Sequence, residues 1–234
     1  MSNIQVLKRD GTTEELNLEK VHKMVEFACE GLAGVSASQV EIQSGLQFCD
    51  GITSNDIQEI LIRSASDLIT EDHPNYQYVA ARLLLFGLRK AVHGHPEILP
   101  PLLEHVKGCV DKGVYDSTIV NRYSEEEWDR INSFVEHERD YLFTYAGLRQ
   151  VVDKYLVQDR STGEHYESPQ QMYIMIAATL FANYPTETRL DYVQRYYNAI
   201  SKHKINIPTP IMGGVRTPIR QFASCVLVDI DDTL

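Results

Sequence analysis

The stretch "VLKRDGTTEELNLEKV" (residues 6–21) predicts how the chain begins. Residues 4–8 and 13–16 are strand-like and flank Asp10-Gly11, a pair typical of a β-hairpin turn. Asn17 then suits the N-cap of a helix. The apolar residues that follow recur at helical spacing: Leu18, Val21, Met24, Val25 and Ala28. The sequence therefore predicts a hairpin that leads directly into an amphipathic helix.

Three more helices are predicted before residue 94. One follows Ser36 or Ser38, and a second begins at "TSNDI", where Thr53 and Asp56 fit a capping box. Its apolar stripe is Ile57, Ile60, Leu61, Leu68 and Ile69. The third, "NYQYVAARLLLFGLRKAV", is apolar on one side and ends near His93-Gly94. We therefore expect residues 1–94 to form one domain, a hairpin with four helices.

The chain beyond residue 94 is expected to be mainly helical. A Gly-His-Pro stretch and Pro100-Pro101 suggest a linker. Helices are predicted over about 101–112, from Ser124 with Glu127 as its capping partner, and over about 144–153, 169–183 and 186–202. A second hairpin is expected around Thr162-Gly163. These elements would form a helical domain over residues 95–220.

The last part of the sequence changes character. "INIPTPIMGGVRTPIRQFASCVLVDIDDTL" begins as a Pro/Gly loop and continues as a β-rich run from Phe222 to Ile230. Because a strand needs a neighbouring strand, we expect residues 221–234 to start a further domain, with the chain being the front portion of a larger protein. The predicted fold class is therefore mainly α, with an N-terminal hairpin.

Composition excludes several classes of protein. The net charge of −11 over 234 residues disfavours bulk attraction to nucleic acid, although a local cationic pocket stays open. The four cysteines have neither CxxC pairing nor zinc-ligand spacing, so we expect no disulfide framework and no metal site. A reducing, cytoplasmic setting fits this usage. The sequence contains neither a signal peptide pattern nor a long apolar span, which predicts a protein without a membrane segment.

Two sets of residues suggest chemistry. Lys8, Arg9 and Lys20 on the hairpin-helix unit, with Lys90 on the fourth helix, would suit an anionic ligand such as a nucleoside triphosphate if they converge. The alternative is that they are ordinary solvated charges. Cys225 lies in "FASCVLV", where a buried and inert strand cysteine is the alternative to a redox role.

Several longer patterns together resemble one family. "VLKRDGTTEELNLEKV", "DGITSNDIQEILIRSASDLI" and "YQYVAARLLLFGLRK" are similar to the ATP-cone, an allosteric nucleotide-binding module. "KYLVQDRSTGEHYESPQQMYI", "ANYPTETRLDYVQRYYNAIS", "PTPIMGGVRTPIRQFASCVL" and "DDTL" resemble, in that order, the class I ribonucleotide reductase large subunit. This resemblance implies that residues 221–234 begin a ten-stranded α/β barrel, which is truncated here.

The resemblance implies an allosteric activity site for ATP or dATP, bound with Mg²⁺. Lysines would contact phosphates, Glu14 and Asn17 would contact the polar edge of adenine, and Ser54 would donate to a phosphate. The implied residues are Lys8, Arg9, Glu14, Glu15, Leu16, Asn17, Leu18, Glu19, Lys20, Ser54 and Lys90. The hairpin would then cover a nucleotide held against the helices.

The resemblance also implies a catalytic role for the end of the chain. Thr209, Ser224 and Cys225 match contacts to a ribonucleoside diphosphate substrate, and Cys225 matches one member of a redox cysteine pair. A thiyl radical on another cysteine would remove the 3′-hydrogen, and the 2′-hydroxyl would leave as water while the pair closes to a disulfide. Thioredoxin or glutaredoxin would reopen that disulfide. The dNTP specificity site would begin at Asp232, Thr233 and Leu234.

The partners implied by the family are a small radical-generating beta subunit and a second large subunit. Since further catalytic residues lie beyond residue 234 in the family, this chain alone is expected to be inactive. One departure concerns the cone, because bacterial cones often have His where Gln58 and Gly87 stand here. Two other hypotheses are a nucleotide-sensing transcriptional regulator, which would need a zinc or DNA-binding element, and a helical scaffold whose cone no longer binds its ligand.

Overall fold

A computed structural model describes residues 4–8, 11–45 and 47–229. Within them the chain is mainly helical, as predicted, and it divides into two compact units. The first unit runs up to Leu99 and also includes Glu138–Asp153, while the second comprises Pro100–His137 and the residues from Lys154 onward. The predicted division at residue 94 did not include this return of residues 138–153 to the first unit. The functional domains proposed from the sequence stay predictions.

The first unit begins with the expected hairpin. Strands β1 (Gln5–Leu7) and β2 (Thr13–Glu15) pair antiparallel, with Val6 opposite Glu14. Gly11 has φ of 83°, which is the left-handed conformation that such a turn requires. A short strand β3 (Ile52–Thr53), which the sequence analysis missed, pairs parallel with β1 and gives the sheet order β2-β1-β3.

In the described residues up to Leu99, four helices pack against each other, and the third of them also contacts β3. They are α1 (Leu18–Cys29), α2 (Ala37–Gly45), α3 (Ser54–Asp67) and α4 (Tyr76–His93). Asn17 caps α1, since its Oδ1 accepts from the Lys20 N–H at 3.0 Å, and Thr53 caps α3 in the same way. Gly94 ends α4 in the left-handed conformation. The predicted stripe of α3 extended too far, because the helix ends before Leu68 and Ile69.

The residues that return to the first unit contain all but the first residue of a 3₁₀ helix (His137–Leu142), followed by helix α7 (Tyr145–Gln150), which packs on α4. A π-turn, Val151–Tyr155, leads out of this segment. Arg89 of α4 donates to Asp140 with an Nη2–Oδ2 distance of 2.7 Å, and both side chains are buried. This pairing matters because an isolated buried charge is costly.

The described residues of the second unit contain five α-helices. They are α5 (Leu102–Asp111), α6 (Glu125–Ser133), α8 (Pro169–Phe181), α9 (Thr186–Ser201) and α10 (Thr209–Gly214). A short 3₁₀ turn, Val120–Arg122, precedes α6. The capping boxes predicted at Ser124 with Glu127 and at Ser168 with Gln171 are both present. Helix α8 is buried along most of its length and packs against α9 and α10.

The structure corrects one sequence prediction for the second unit and qualifies two others. Thr209 begins helix α10 rather than lying in a loop, since Pro210 suits the first turn of a helix. The second hairpin is present in a short form, with one antiparallel bridge between Gln158 and His165 and with Gly163 in the left-handed conformation at its turn. Residues 222–229 form no strand among the described residues, and Leu227 is 98% exposed. A strand needs a hydrogen-bonded neighbour, and the described part of the chain supplies none here. The barrel itself stays a prediction.

Candidate functional site

The hairpin, α1, the start of α3 and the end of α4 enclose a cavity of about 430 Å³, which we call the hairpin cavity. Most of the residues predicted for the activity site line it: Lys8, Glu14, Leu16, Asn17, Lys20, Ser54 and Lys90. Leu18 is 64% exposed, and neither Glu15 nor Glu19 lines the cavity. Arg9 lies outside the described residues. The structure therefore brings residues from four elements to one place.

Lys8 and Lys20 converge on a single carboxylate. The Lys8 Nζ lies 2.6 Å from Glu14 Oε1, and the Lys20 Nζ lies 3.4 Å from the same atom. The hydrogen bond from Lys8, followed by the charges of Lys8 and Lys20, lowers the pKa of Glu14 below its ordinary value of 4.5. Since one carboxylate faces two ammonium groups, this corner of the cavity keeps a net positive charge.

The start of α3 adds a second feature suited to anions. Ser54 is the first residue of this 14-residue helix, and its side chain lines the cavity. Helix N-termini have a partial positive charge and N–H groups that favour phosphates. Lys90, near the end of α4, lines the same cavity. Together with Lys8 and Lys20, these groups can bind a polyanion.

The rest of the cavity wall is largely apolar, and sequence reasoning missed it. Besides Leu16, the apolar lining residues are Val6, Val21, Met24, Phe27, Ile57 and Phe86. A wall of this kind suits a flat ring such as a nucleobase. The signal was present in the helical spacing, because Asn17, Lys20, Met24 and Phe27 recur every three or four residues along one side of α1.

Gln58 and Gly87 are neighbours across α3 and α4. The Gln58 Nε2 donates to the Leu83 carbonyl at 2.7 Å, so the amide is fixed against α4. A Cβ added at Gly87 would lie 3.0 Å from Gln58 Cγ. The absence of a side chain at Gly87 therefore makes room for Gln58, which itself lines the cavity.

The second unit contains another cavity, of about 470 Å³, which we call the Thr209 cavity. Its wall includes Lys154, Tyr155, Arg160 and Thr209, and the Tyr155 hydroxyl lies 3.5 Å from Thr209 Oγ1. The buried guanidinium of Arg216 donates to the carbonyl oxygens of Met212 and Tyr155, and it is paired with buried Glu167. This bonding fixes α10 next to the segment that contains Tyr155.

The structure does not bring the other predicted catalytic residues to this cavity. Ser224 and Cys225 are exposed, with Ser224 Oγ 3.8 Å from Cys225 Sγ, and neither belongs to the lining. The described part of the chain therefore does not bury Cys225, and its redox role stays a prediction. By contrast, burial raises the pKa of the Cys109 thiol to about 12. The residues expected to begin the specificity site, Asp232, Thr233 and Leu234, lie outside the described residues.

Two searches of the described part of the chain gave negative results. No group of three or more His, Cys, Asp or Glu side chains in residues 4–8, 11–45 and 47–229 is arranged to hold a metal ion. Over the same residues, no helix has both the length and the apolar character needed to cross a membrane.

Comparison with known proteins adds two family matches. Residues 4–91 match the ATP cone domain, and residues 141–220 match the all-alpha domain of ribonucleotide reductase. The first match contains every described residue of the hairpin cavity except Glu97. The second contains Thr209 and the Arg216–Glu167 pair.

Relatives match almost the entire chain. The chain is 53% identical over 232 residues to the ribonucleoside-diphosphate reductase subunit alpha of Haemophilus influenzae. The matched region covers 99% of the chain and 31% of the relative. It is also 53% identical to the ribonucleoside-diphosphate reductase 1 subunit alpha of Escherichia coli, and this match covers 99% of the chain and 30% of the relative. The ribonucleoside-diphosphate reductase subunit alpha of Enterobacteria phage T4 is 41% identical, and this match covers 100% of the chain and 31% of the relative.

The chain thus spans about 30% of the length of these relatives. The two domain matches occur in the same chain in the order cone, then all-alpha domain. On this evidence the chain is identified with an N-terminal portion of the ribonucleotide reductase alpha subunit, beginning with an ATP cone.

Proposed function

We propose that the hairpin cavity binds ATP or dATP and that this binding regulates the protein. The observation that supports this most is the convergence of Lys8, Lys20, Lys90 and the start of α3 on one cavity with an apolar wall. A nucleoside triphosphate needs both features, because its phosphates require several cations and N–H donors while its base requires an apolar surface. The match of residues 4–91 to the ATP cone domain supports the same ligand.

The side chains also suggest how the nucleotide lies. The phosphates would contact Lys8, Lys90 and Ser54. Asn17 already accepts a hydrogen bond from the Lys20 N–H through Oδ1, so its amide N–H groups are the part that can donate to a ring nitrogen of adenine. Glu14 would accept from the adenine amino group, although it also competes with phosphate for Lys8.

Mg²⁺ would enter with the nucleotide. The only acidic side chains among the described lining residues of the hairpin cavity are Glu14 and Glu97, and Glu14 is paired with lysines. Two such groups do not form a Mg²⁺ site by themselves, since this ion takes an octahedral shell of oxygen ligands. The phosphate oxygens and water would supply most of the ligands, and the chain's lysines would bind the remaining phosphate charge.

Isothermal titration of the chain with ATP, and separately with dATP, in the presence of Mg²⁺ tests this proposal. We expect saturable binding that Lys8→Ala weakens by about tenfold or more, because a hydrogen bond to a charged group contributes about 1.5–3 kcal/mol. Lys112→Ala is the matched control, since Lys112 lies in the second unit beside Glu164. Absence of binding to both nucleotides, or equal affinities for all three proteins, would reject the hairpin cavity as the site.

For the whole protein we propose the activity named in its relatives, reduction of ribonucleoside diphosphates to deoxyribonucleoside diphosphates. Cys225 would be one of two thiols that together give up two hydrogens. The substrate's 2′-hydroxyl would leave as water, and the thiols would close to a disulfide. Thr209 and Ser224 would contact the substrate. A reductant of the thioredoxin or glutaredoxin type would then reopen this disulfide by thiol exchange.

The remaining proposals follow from the same family. The protein would be of class I, with a small radical-generating beta subunit, a large-subunit homodimer, a dNTP specificity site starting at Asp232–Leu234, and a cytoplasmic location. Full-length protein mixed with its beta subunit, ATP and a dithiol reductant should convert CDP to dCDP. Absence of dCDP from that mixture, with the beta subunit's radical present, would contradict the assignment.

A further inference from the structure

Residues 138–153 belong to the same compact unit as the hairpin cavity, although the match to the ATP cone domain ends at residue 91. Helix α7 packs on α4, and the buried Arg89–Asp140 ion pair anchors the start of this segment to α4 as well. The segment is therefore fixed to a helix that lines the cavity through Phe86 and Lys90.

Tyr141 directly follows the anchored Asp140, and its ring lies against the wall of the hairpin cavity. Its centroid is 6.1 Å from that of Phe27, at an interplanar angle of 71°, which is the favoured edge-to-face arrangement. Phe27 is one of the apolar residues that line the cavity. The Tyr141 ring is thus one side chain away from the ligand space.

Tyr141 also contacts the residue that secures the end of α1. The guanidinium carbon of Arg82 lies 5.5 Å from the centre of the Tyr141 ring, and that of Arg89 lies 5.7 Å from it. Arg82 Nη1 donates to the carbonyl oxygens of Ala28 and Glu30, at 3.2 and 2.6 Å. Because α1 supplies much of the cavity wall, any shift of Arg82 alters that wall.

We propose that Tyr141 is a positioning residue for the hairpin cavity, which couples nucleotide binding to the packing of residues 138–153. The proposal rests on the nucleotide site proposed above. Tyr141 acts directly on Phe27 and, through Arg82, on the end of α1. Since coupling between two sites is reciprocal, an ordered Tyr141 tightens nucleotide binding and a bound nucleotide protects residues 138–153.

The test is titration of the 234-residue chain with ATP and Mg²⁺, comparing Tyr141→Leu and Tyr141→Phe with the unchanged protein. We expect Tyr141→Leu to weaken binding by about fivefold or more. Tyr141→Phe keeps the ring, and Tyr145→Leu makes the same change at a ring without these contacts. The affinity of both variants for ATP should stay within about twofold of that of the unchanged protein, because substitutions that remove no important contact have small effects.

Amide hydrogen exchange of the unchanged protein provides a second readout that does not depend on the variant's folding. ATP should slow exchange at residues 138–143 as well as at the hairpin and α1. An affinity of folded Tyr141→Leu within about twofold of the unchanged protein would overturn the inference. So would protection by ATP that stops short of residues 138–143. If the unchanged protein binds no nucleotide, the proposed nucleotide site is rejected. If it binds nucleotide but Tyr141→Leu has no effect, only the role of Tyr141 is rejected.

Discussion

Glu167→Gln should strongly destabilise the second unit. The Glu167 carboxylate accepts hydrogen bonds from four donors: Arg216 Nε at 2.8 Å, Arg216 Nη2, the Tyr115 hydroxyl, and the Val157 N–H at 2.7 Å. Both side chains of the Arg216–Glu167 pair are completely buried. A glutamine has almost the same shape, but it lacks the charge and turns one acceptor into a donor that faces other donors.

The magnitude follows from this geometry. Removing one partner of a buried ion pair costs about 3–5 kcal/mol, because the other charge stays buried without compensation. With a urea slope of about 2 kcal/mol per M, the unfolding midpoint should fall by about 1.5–2.5 M. Trp128 is the single tryptophan of the chain and lies buried in the second unit, so its fluorescence reports the unfolding of this unit.

Glu164→Gln is the matched control, since it makes the same substitution three residues away. Glu164 pairs with Lys112 at 3.4 Å, and both side chains are more than half exposed. An exposed pair contributes only about 0–1 kcal/mol, so this variant should unfold near the midpoint of the unchanged protein. If Glu167→Gln lost less than about 1 kcal/mol, or no more than the control, the reasoning about the buried pair would be refuted.

Three further predictions concern single groups. Iodoacetamide should label exposed Cys225 well before Cys109, because burial raises the pKa of the Cys109 thiol to about 12. Peptide mass spectrometry measures the order of labelling, and labelling of Cys109 first would contradict this prediction. The Glu41 carboxylate lies 2.6 Å from His22 Nδ1 and raises the pKa of His22 above 6.5. The His22–Glu41 pair should therefore stabilise the fold fully below pH 6.5, and this contribution should be lost as the pH rises through the raised pKa of His22. Proton NMR titration should find the His22 pKa lowered by Glu41→Gln, and an unchanged pKa would contradict this. Asn17→Ala should cost about 0.5–2 kcal/mol by removing the cap of α1, and urea unfolding monitored at the first unit should detect it; an unchanged midpoint would exclude the capping role.

Local sequence rules predicted most of the elements correctly. The hairpin turn at Gly11, the caps at Asn17 and Thr53, and the capping boxes at Ser124 and Ser168 depend on residues within a few positions of each other. Such signals are contained in a short stretch of sequence, because the hydrogen bonds that they describe are themselves local.

The features that were missed depend on contacts between distant parts of the chain. Strand β3 is only two residues long, and it forms because β1, more than 40 residues earlier, offers its free edge. The return of residues 138–153 to the first unit likewise depends on the Arg89–Asp140 pair, whose members are 51 positions apart. Periodicity and capping rules contain no information on such pairings.

The candidate site was predicted unevenly for the same reason. The resemblance to the ATP-cone indicated most of the charged residues that line the hairpin cavity but not Lys23 or Glu97, and the apolar wall followed only once α1, α3 and α4 were placed together. In the sequence, Gln58 and Gly87 were two separate departures from the His residues that bacterial cones often have. In the structure they are complementary, since the missing side chain of one leaves space for the other.

A crystal structure of the chain grown with ATP and Mg²⁺ tests the central claim most directly. We predict a nucleotide in the hairpin cavity, with its phosphates within hydrogen-bond distance of Lys8 and Lys90 and its base against Phe27 and Phe86. A nucleotide bound elsewhere on the chain, or a hairpin cavity that stays empty at saturating ATP, would contradict the account.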